Sequence, residues 1–380
     1  MLRTAPDDVL RQRTGIKWSR VSPGELPADI AELDFEVAEP VRTALRRAVE
    51  LHDYGYPDFD QGTPVALQEL FATRMHDRYG ATVAPERVEL SAQITQALCA
   101  VVLTLTRPGD GVLVHTPTYP PFLAAISQLG RRPVTVPVRD VEDAEQLTEL
   151  LPPSVGPIRL IVLCHPHNPT GHVFNRTTLA ALAEFTVARD AVVFSDEIYQ
   201  DLVDDPATYQ PVATVPGLAD RTVTFTSAAK SFNVPGLRCA VGYFGGSGIH
   251  RRYTALPWHL RDGAGILGVA ATLAAWRYGD AWLEDLRRTL RDNQALLVER
   301  LARLPGVAWT PPSAGYLGWL DLTTSSVAAD PRAILRRRAG ILLQAGAAFG
   351  AAFTGYARLN FGTDRDRLVR ILDRLSEALR

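Results

Sequence analysis

The chain has 380 residues, 46% hydrophobic and 22% charged, with a formal net charge of −2. That composition supports a full globular core in two domains, or one large domain with an appendage, and leaves no room for long disorder. Without a basic face, nucleic acid and anionic membranes are poor partners, and no run of about 18 apolar residues exists to span a bilayer.

Cys99, Cys164 and Cys239 lie far apart and form no CxxC pair, which fits a reducing compartment. The charged start "MLRTAPDDVLRQRTG" lacks the apolar segment of a signal peptide, so a cytoplasmic location is expected. No metal site is expected.

From about residue 90, helical and extended patterns alternate. "ITQALCAVVLTL" reads as a helix, "GDGVLVHTP" as a strand and "YPPFLAAISQLG" as a helix. "RLIVLCHP" is a short apolar strand, "TTLAALAEFTVARD" an amphipathic helix, "AVVFSDE" a buried strand and "TVTFTSAAKS" another. Short apolar strands spaced by helices argue for βαβ units and a mostly parallel sheet. This gives a large α/β domain over residues 46–274. The last third reads differently: a long helix in "GDAWLEDLRRTLRDNQALLVERLARL", then strands, then a final helix in "DRDRLVRILDRLSEAL". Residues 275–380, with 1–45 packed on them, are expected to form a smaller α+β domain.

Candidate ligands cluster after the strands, where α/β sheets bind. Lys+Arg total 40, yet Lys17 and Lys230 are the only lysines. A lone lysine is ordinarily a solvated surface residue, but a lysine near the end of a buried strand is either paired or suited to Schiff-base chemistry. Ser227 sits about one turn before Lys230, and the turn in "NVPG" can return Arg238 toward the same spot. A hydroxyl, an amine and a guanidinium suit a phosphate plus an aldehyde. Asp196 follows four apolar residues, and a buried carboxylate needs a cation; a protonated pyridine nitrogen is one, and a helix N-cap is the competing role. Tyr199 is placed to reach a phenolic oxygen on the same ring, and the "HPHNPTGHVF" turn aims the Asn168 amide. Tyr119 in "TPTYPPF" is either a stacking ring or core packing. The Ser/Thr-rich turn in "SAQITQAL" opens a helix whose free N–H groups form an anion site. Together these describe a pyridoxal 5'-phosphate site.

With "ELPADIAELDFEVAEPVRTAL", "YGY", "TPTYPPF", "LCHPHNPTGHVF", "SDEIYQDL", "AAKSFNVPGLR" and "GYARLNFGT", the chain resembles the fold-type I pyridoxal phosphate enzymes of the aminotransferase class I/II superfamily. It is most similar to the MalY/PatB-type cystathionine β-lyases. The resemblance implies a large domain with a mostly parallel seven-stranded sheet plus a smaller α+β domain. It implies Lys230 as the cofactor-holding, proton-shuttling residue, Asp196 on the ring nitrogen, Asn168 and Tyr199 on the ring hydroxyl, and Tyr119 stacked. Ser227, Arg238, Ile94 and Thr95 would bind phosphate, and Arg358 would clamp the α-carboxylate of an amino-acid substrate. Tyr56 would reach the phosphate of a neighbouring subunit, which implies a homodimer with shared sites. The implied reaction is C–S β-elimination from a cysteine S-conjugate, with transamination as the other branch. Departures from the pattern are Gln93 in place of a glycine, Tyr199 where these lyases carry histidine, and His165 and His172 within "HPHNPTGH".

Overall fold

In the computed structural model, which describes residues 2–152 and 156–380, the chain divides into two units. One comprises residues 38–167 and 173–280, the other residues 1–37, 168–172 and 281–380.

The larger unit is built on seven strands: β1 Val88–Ser91, β2 Gly111–Thr116, β3 Arg132–Pro137, β4 Ile158–Cys164, β5 Val192–Asp196, β6 Thr222–Thr226 and β7 Ala240–Phe244. Their spatial order is β1-β7-β6-β5-β4-β2-β3. β7 runs antiparallel to β1 and β6, and the other pairs are parallel. Strands buried on both faces read as continuous apolar runs. In β2, Val112 and Val114 pack on one face with α3 Ile94–Leu105 and α4 Pro120–Gln128, whereas Leu113 joins the opposite core with α5 Arg176–Ala188. β4 alternates in the same way, Leu160 and Val162 against Ile161 and Leu163. Helices α1 Glu39–Glu50, α2 Thr63–Tyr79 and α6 Ile266–Tyr278 also belong to this unit, α6 packing on both others.

One expectation is corrected. "TVTFTSAAKS" is not extended throughout: β6 stops at Thr226, and Ala228–Ser231 forms a helical turn capped by Ser227, whose Oγ accepts from the Ala229 N–H at 3.1 Å. A serine that can cap its own turn competes with the sheet ladder.

The smaller unit holds β8 Ala308–Trp309, β9 Leu317–Asp321, β10 Gln344–Ala345 and β11 Tyr356–Asn360, in antiparallel order β10-β11-β9-β8. Its long helix α7 Asp280–Leu301 buries Leu283, Leu286, Leu290, Leu297 and Leu301 at helical spacing. Asn293 on the same helix is buried too, and its amide donates to the carbonyls of Phe361 (2.9 Å) and Thr363 (2.7 Å). Helix α8 Arg365–Leu379 is capped by Asp364, whose Oδ1 accepts from the Arg367 N–H. Among the described residues no helix is long and apolar enough to cross a membrane.

Candidate active site

Strands β6, β5, β4 and β2 are consecutive neighbours, and each leads at its carboxyl end to an expected site residue. Asp196 is the last residue of β5 and is buried. Its Oδ1 accepts the Ile198 N–H at 3.1 Å, so it does serve a turn, but an Asx turn and not a helix N-cap. Burial pushes its carboxyl up to about 7, opposed by that N–H and by the Lys230 ammonium. Asp196 and Lys230 thus lie within electrostatic range of each other. Tyr199, three residues on, is buried.

The turns after β5 and β6 are stitched together. Gln200 Nε2 donates to Thr226 Oγ1 (3.1 Å), which donates to the Glu197 carbonyl (3.1 Å). Ser231 Oγ donates to Asp201 Oδ2 (3.3 Å), and Arg74 Nη2 pairs with Asp201 Oδ1 (2.6 Å). Lys230 and Tyr199 thus ride on two turns that share buried side-chain ties.

Ser227, Arg238 and the start of α3 form the candidate phosphate cradle. Ser227 Oγ donates to the Cys239 carbonyl at 2.6 Å, tying the lysine turn to the turn that carries Arg238. Arg238 has φ +56°, the left-handed conformation that reverses the chain after Pro235–Leu237, and its guanidinium donates to Gln93 Oε1. Gln93 N-caps α3 with φ −162°, extended backbone that any residue adopts, so no glycine is required there. The first N–H groups of α3, including Ile94 and Thr95, have no carbonyl partner within the helix. Gln96 braces this turn: its Oε1 accepts from Ser91 Oγ (3.0 Å) and the Ala92 N–H (3.2 Å).

Tyr119 precedes α4 and meets Phe122 edge-to-face at 5.5 Å. Tyr56 is 100% exposed, and the structure does not bring it to the other site residues of its own chain.

Asn168 and Arg358 belong to the smaller unit. Arg358, on β11, is buried; its Nη1 donates to Asn168 Oδ1 (2.9 Å) and its Nη2 to the Asp29 carbonyl (2.8 Å). The guanidinium lies 5.0 Å from the Phe349 ring centroid. Each terminal nitrogen carries two N–H groups, a fork suited to a carboxylate. With Asn168 Oδ1 given to Arg358, its Nδ2 is the donor end of the amide.

Sequence reasoning missed Asp29, Gln93 as an Arg238 partner, and the Asp201–Ser231 tie. Asp29 acts through a backbone carbonyl, which no side-chain pattern announces. Asp201 is visible only as the second aspartate in "SDEIYQDL". Among the described residues no cluster of three metal-ligating side chains occurs.

The sequence profile of the family described as aminotransferase class I and II matches residues 30–375. The chain is 30% identical over 370 residues to the cystathionine beta-lyase of Corynebacterium glutamicum, covering 97% of this chain and 98% of that protein. It is 33% identical over 357 residues to the arginine–pyruvate transaminase AruH of Pseudomonas aeruginosa, covering 90% and 87%. The crystal structure of the PLP-bound C–S lyase from Staphylococcus hominis superposes with a TM-score of 0.88 at 25% identity, covering 97% of each chain.

Proposed function

The chain belongs to the aminotransferase class I and II family, and from that premise we propose that it is a pyridoxal 5'-phosphate-dependent carbon–sulfur β-lyase. The proposed reaction splits a cysteine S-conjugate of the cystathionine type into thiol, pyruvate and ammonia. The observation that carries this reading is the near-full-length likeness to a cystathionine beta-lyase in a chain that keeps Asp196, Lys230 and Arg358.

The residues fit the cofactor. Asp196 is a buried carboxyl whose proton affinity is raised by burial, and a protonated pyridine nitrogen would be a cationic partner for it. Ser227, Arg238 and the N–H groups of Ile94 and Thr95 offer donors to a phosphate. Asn168 Nδ2 and the Tyr199 hydroxyl are donors for a ring oxygen, and Tyr119 offers a flat partner for the ring face. When bound, the cofactor supplies an electron sink for the pair released at the substrate Cα.

Arg358 binds and orients the substrate α-carboxylate through its two terminal nitrogens. Lys230, as a neutral amine, takes the Cα proton. The Cβ–S bond then breaks, with the thiolate leaving on its electron pair, and water completes the release of pyruvate and ammonia. The Asp201–Ser231 tie keeps the Lys230 turn in register with Tyr199.

Transamination is the second reading. It is favoured by Tyr199 in "DEIY" and by the likeness to AruH. Purified holoenzyme with cystathionine and no keto acid separates the two. Catalytic release of thiol and pyruvate supports the lyase. A single stoichiometric turnover, relieved only by a keto acid, supports the transaminase.

We also propose a homodimer in which Tyr56 reaches the partner's phosphate; full exposure of a tyrosine supports an association surface. A cytoplasmic location is supported by Cys99, Cys164 and Cys239 standing outside any disulfide.

A further inference from the structure

Lys17 is the second of the two lysines, and it too is buried, 2% exposed. Its ammonium lies 2.9 Å from Asp34 Oδ2 and donates to the Glu32 carbonyl at 2.9 Å. A buried ion pair contributes little net stability against a well-packed apolar pair, so the question is what this one holds in place.

It holds a loop. Residues 29–34 form no helix or strand, yet four successive carbonyls in it accept from side chains. Asp29 accepts from Arg358 Nη2 (2.8 Å), Ile30 from Asn360 Nδ2 (2.5 Å) and Ala31 from the Tyr316 hydroxyl (3.1 Å). Glu32 accepts from Lys17 Nζ (2.9 Å) and Asn360 Nδ2 (2.7 Å). Asp34, which anchors Lys17, also accepts from Trp18 Nε1 at 2.8 Å. A largely buried loop without a strand partner needs such donors to be stable. The first carbonyl of this series is the one that fixes Arg358.

We infer that Lys17 and Asp34 are positioning residues for the substrate-carboxylate clamp, locking the 29–34 loop so that the Asp29 carbonyl aims the Arg358 guanidinium. The inference rests on the reading of Arg358 as the carboxylate ligand. Without the lock, Asp29 shifts and the guanidinium gains rotamer freedom. The loss falls on carboxylate binding and not on proton transfer at Lys230.

The test replaces the pair together, Lys17→Met with Asp34→Leu, so that no lone charge stays buried. Tyr316→Phe, which removes one hydroxyl without a large cavity, is the second variant and covers a failure of the first to fold. Holoenzyme is titrated with an S-substituted cysteine and with the amine lacking its carboxylate, following the cofactor absorbance, and kcat and KM are measured for the amino acid. The double variant should weaken amino-acid binding and raise KM about 10-fold, the worth of a hydrogen bond to a charged group. kcat and binding of the amine should hold within about 2-fold. Tyr316→Phe should move KM in the same direction by a smaller factor. Unchanged amino-acid binding in a folded variant, or equal weakening of amine and amino acid, overturns the inference. If wild-type enzyme makes no pyruvate but still shifts its absorbance with amino acid, the lyase reading fails while the binding arm still decides this one.

Discussion

Asp196 pays for its place at the end of β5 in proton affinity. Its carboxyl stands near 7 instead of the usual 3.8 because burial disfavours the charge. Glu197 beside it is also pushed up to about 7 by burial, despite the Tyr209 hydroxyl at 2.7 Å, Ser195 Oγ at 2.8 Å and the Val212 N–H at 3.1 Å. An acid that holds its proton more tightly folded than unfolded costs stability once pH rises above its unfolded pKa. For these two groups the apoprotein therefore loses stability between about pH 4 and pH 7, and the full cost is present above 7. Asp196→Asn keeps an acceptor for Ile198 and removes one of these costs. Apoprotein melts should show the variant stabilised at pH 8, by up to about 4 kcal/mol, and nearly unchanged at pH 4; equal shifts at both pH values would refute the burial account. In the proposed holoenzyme the sign reverses, because a cationic ring nitrogen would need the carboxylate, and the same variant should release cofactor more readily on dialysis. Lys230→Ala tests the other member. Pyruvate formation should fall by at least about 10²–10⁴-fold, and residual turnover near wild type would remove Lys230 from the proton transfer. Side-chain chemistry and position after a strand single out both residues in the sequence. Asp29 is not, since a carbonyl carries no residue-type signal.

The elements show where pattern reading works and where it stops. "ITQALCAVVLTL" marks helix α3 over the residues it occupies, and the apolar runs of β4 and β5 mark those strands. β3, "RPVTVP", escapes notice because Pro133 and Pro137 argue against a strand; it is tolerated at the sheet edge, where missing N–H groups break no second ladder. β7, "AVGYF", is hidden by Gly242, which packs under the Phe225 ring, where a Cβ would collide. The lysine turn reads as strand because "TVTFT" runs into "SAAK" without a break, and only the Ser227 cap ends the extension. Beyond the strands lies a device built from whole elements: the β5 and β6 turns are joined by Asp201, Ser231 and Arg74. Asp201→Asn weakens the partner of a buried guanidinium, so thermal unfolding should show a loss approaching about 3–5 kcal/mol. Ser231→Ala leaves the Arg74 pair intact. It should cost only about 1 kcal/mol of stability while lowering kcat several-fold at unchanged KM. A Ser231→Ala enzyme with wild-type kcat would make the tie purely structural.

At the scale of the whole molecule, the proposed cofactor set of one chain leaves out Tyr56. Tyr56 is fully exposed, and Leu51 and Tyr54 nearby in sequence are 63% and 57% exposed. An exposed aromatic segment, expected to complete a site that it does not reach in its own chain, is explained if a second copy receives it. The dimer reading makes a demand that no monomeric enzyme can meet. Tyr56→Ala should bind cofactor poorly and turn over slowly, because each site loses the partner's hydroxyl; Lys230→Ala should be inactive. In a dimer formed from one subunit of each kind, the site built on the subunit with Lys230 receives an intact Tyr56, and the other site carries both defects. Random reassortment makes half the dimers hybrid, each with one whole site, so mixing the two variants after mild denaturation should restore about a quarter of wild-type activity per site. Light scattering should report twice the chain mass throughout. If the mixture is no more active than the average of its parents, Tyr56 serves its own chain or none, and the shared-site dimer is wrong while the chemistry of Asp196 and Lys230 stands.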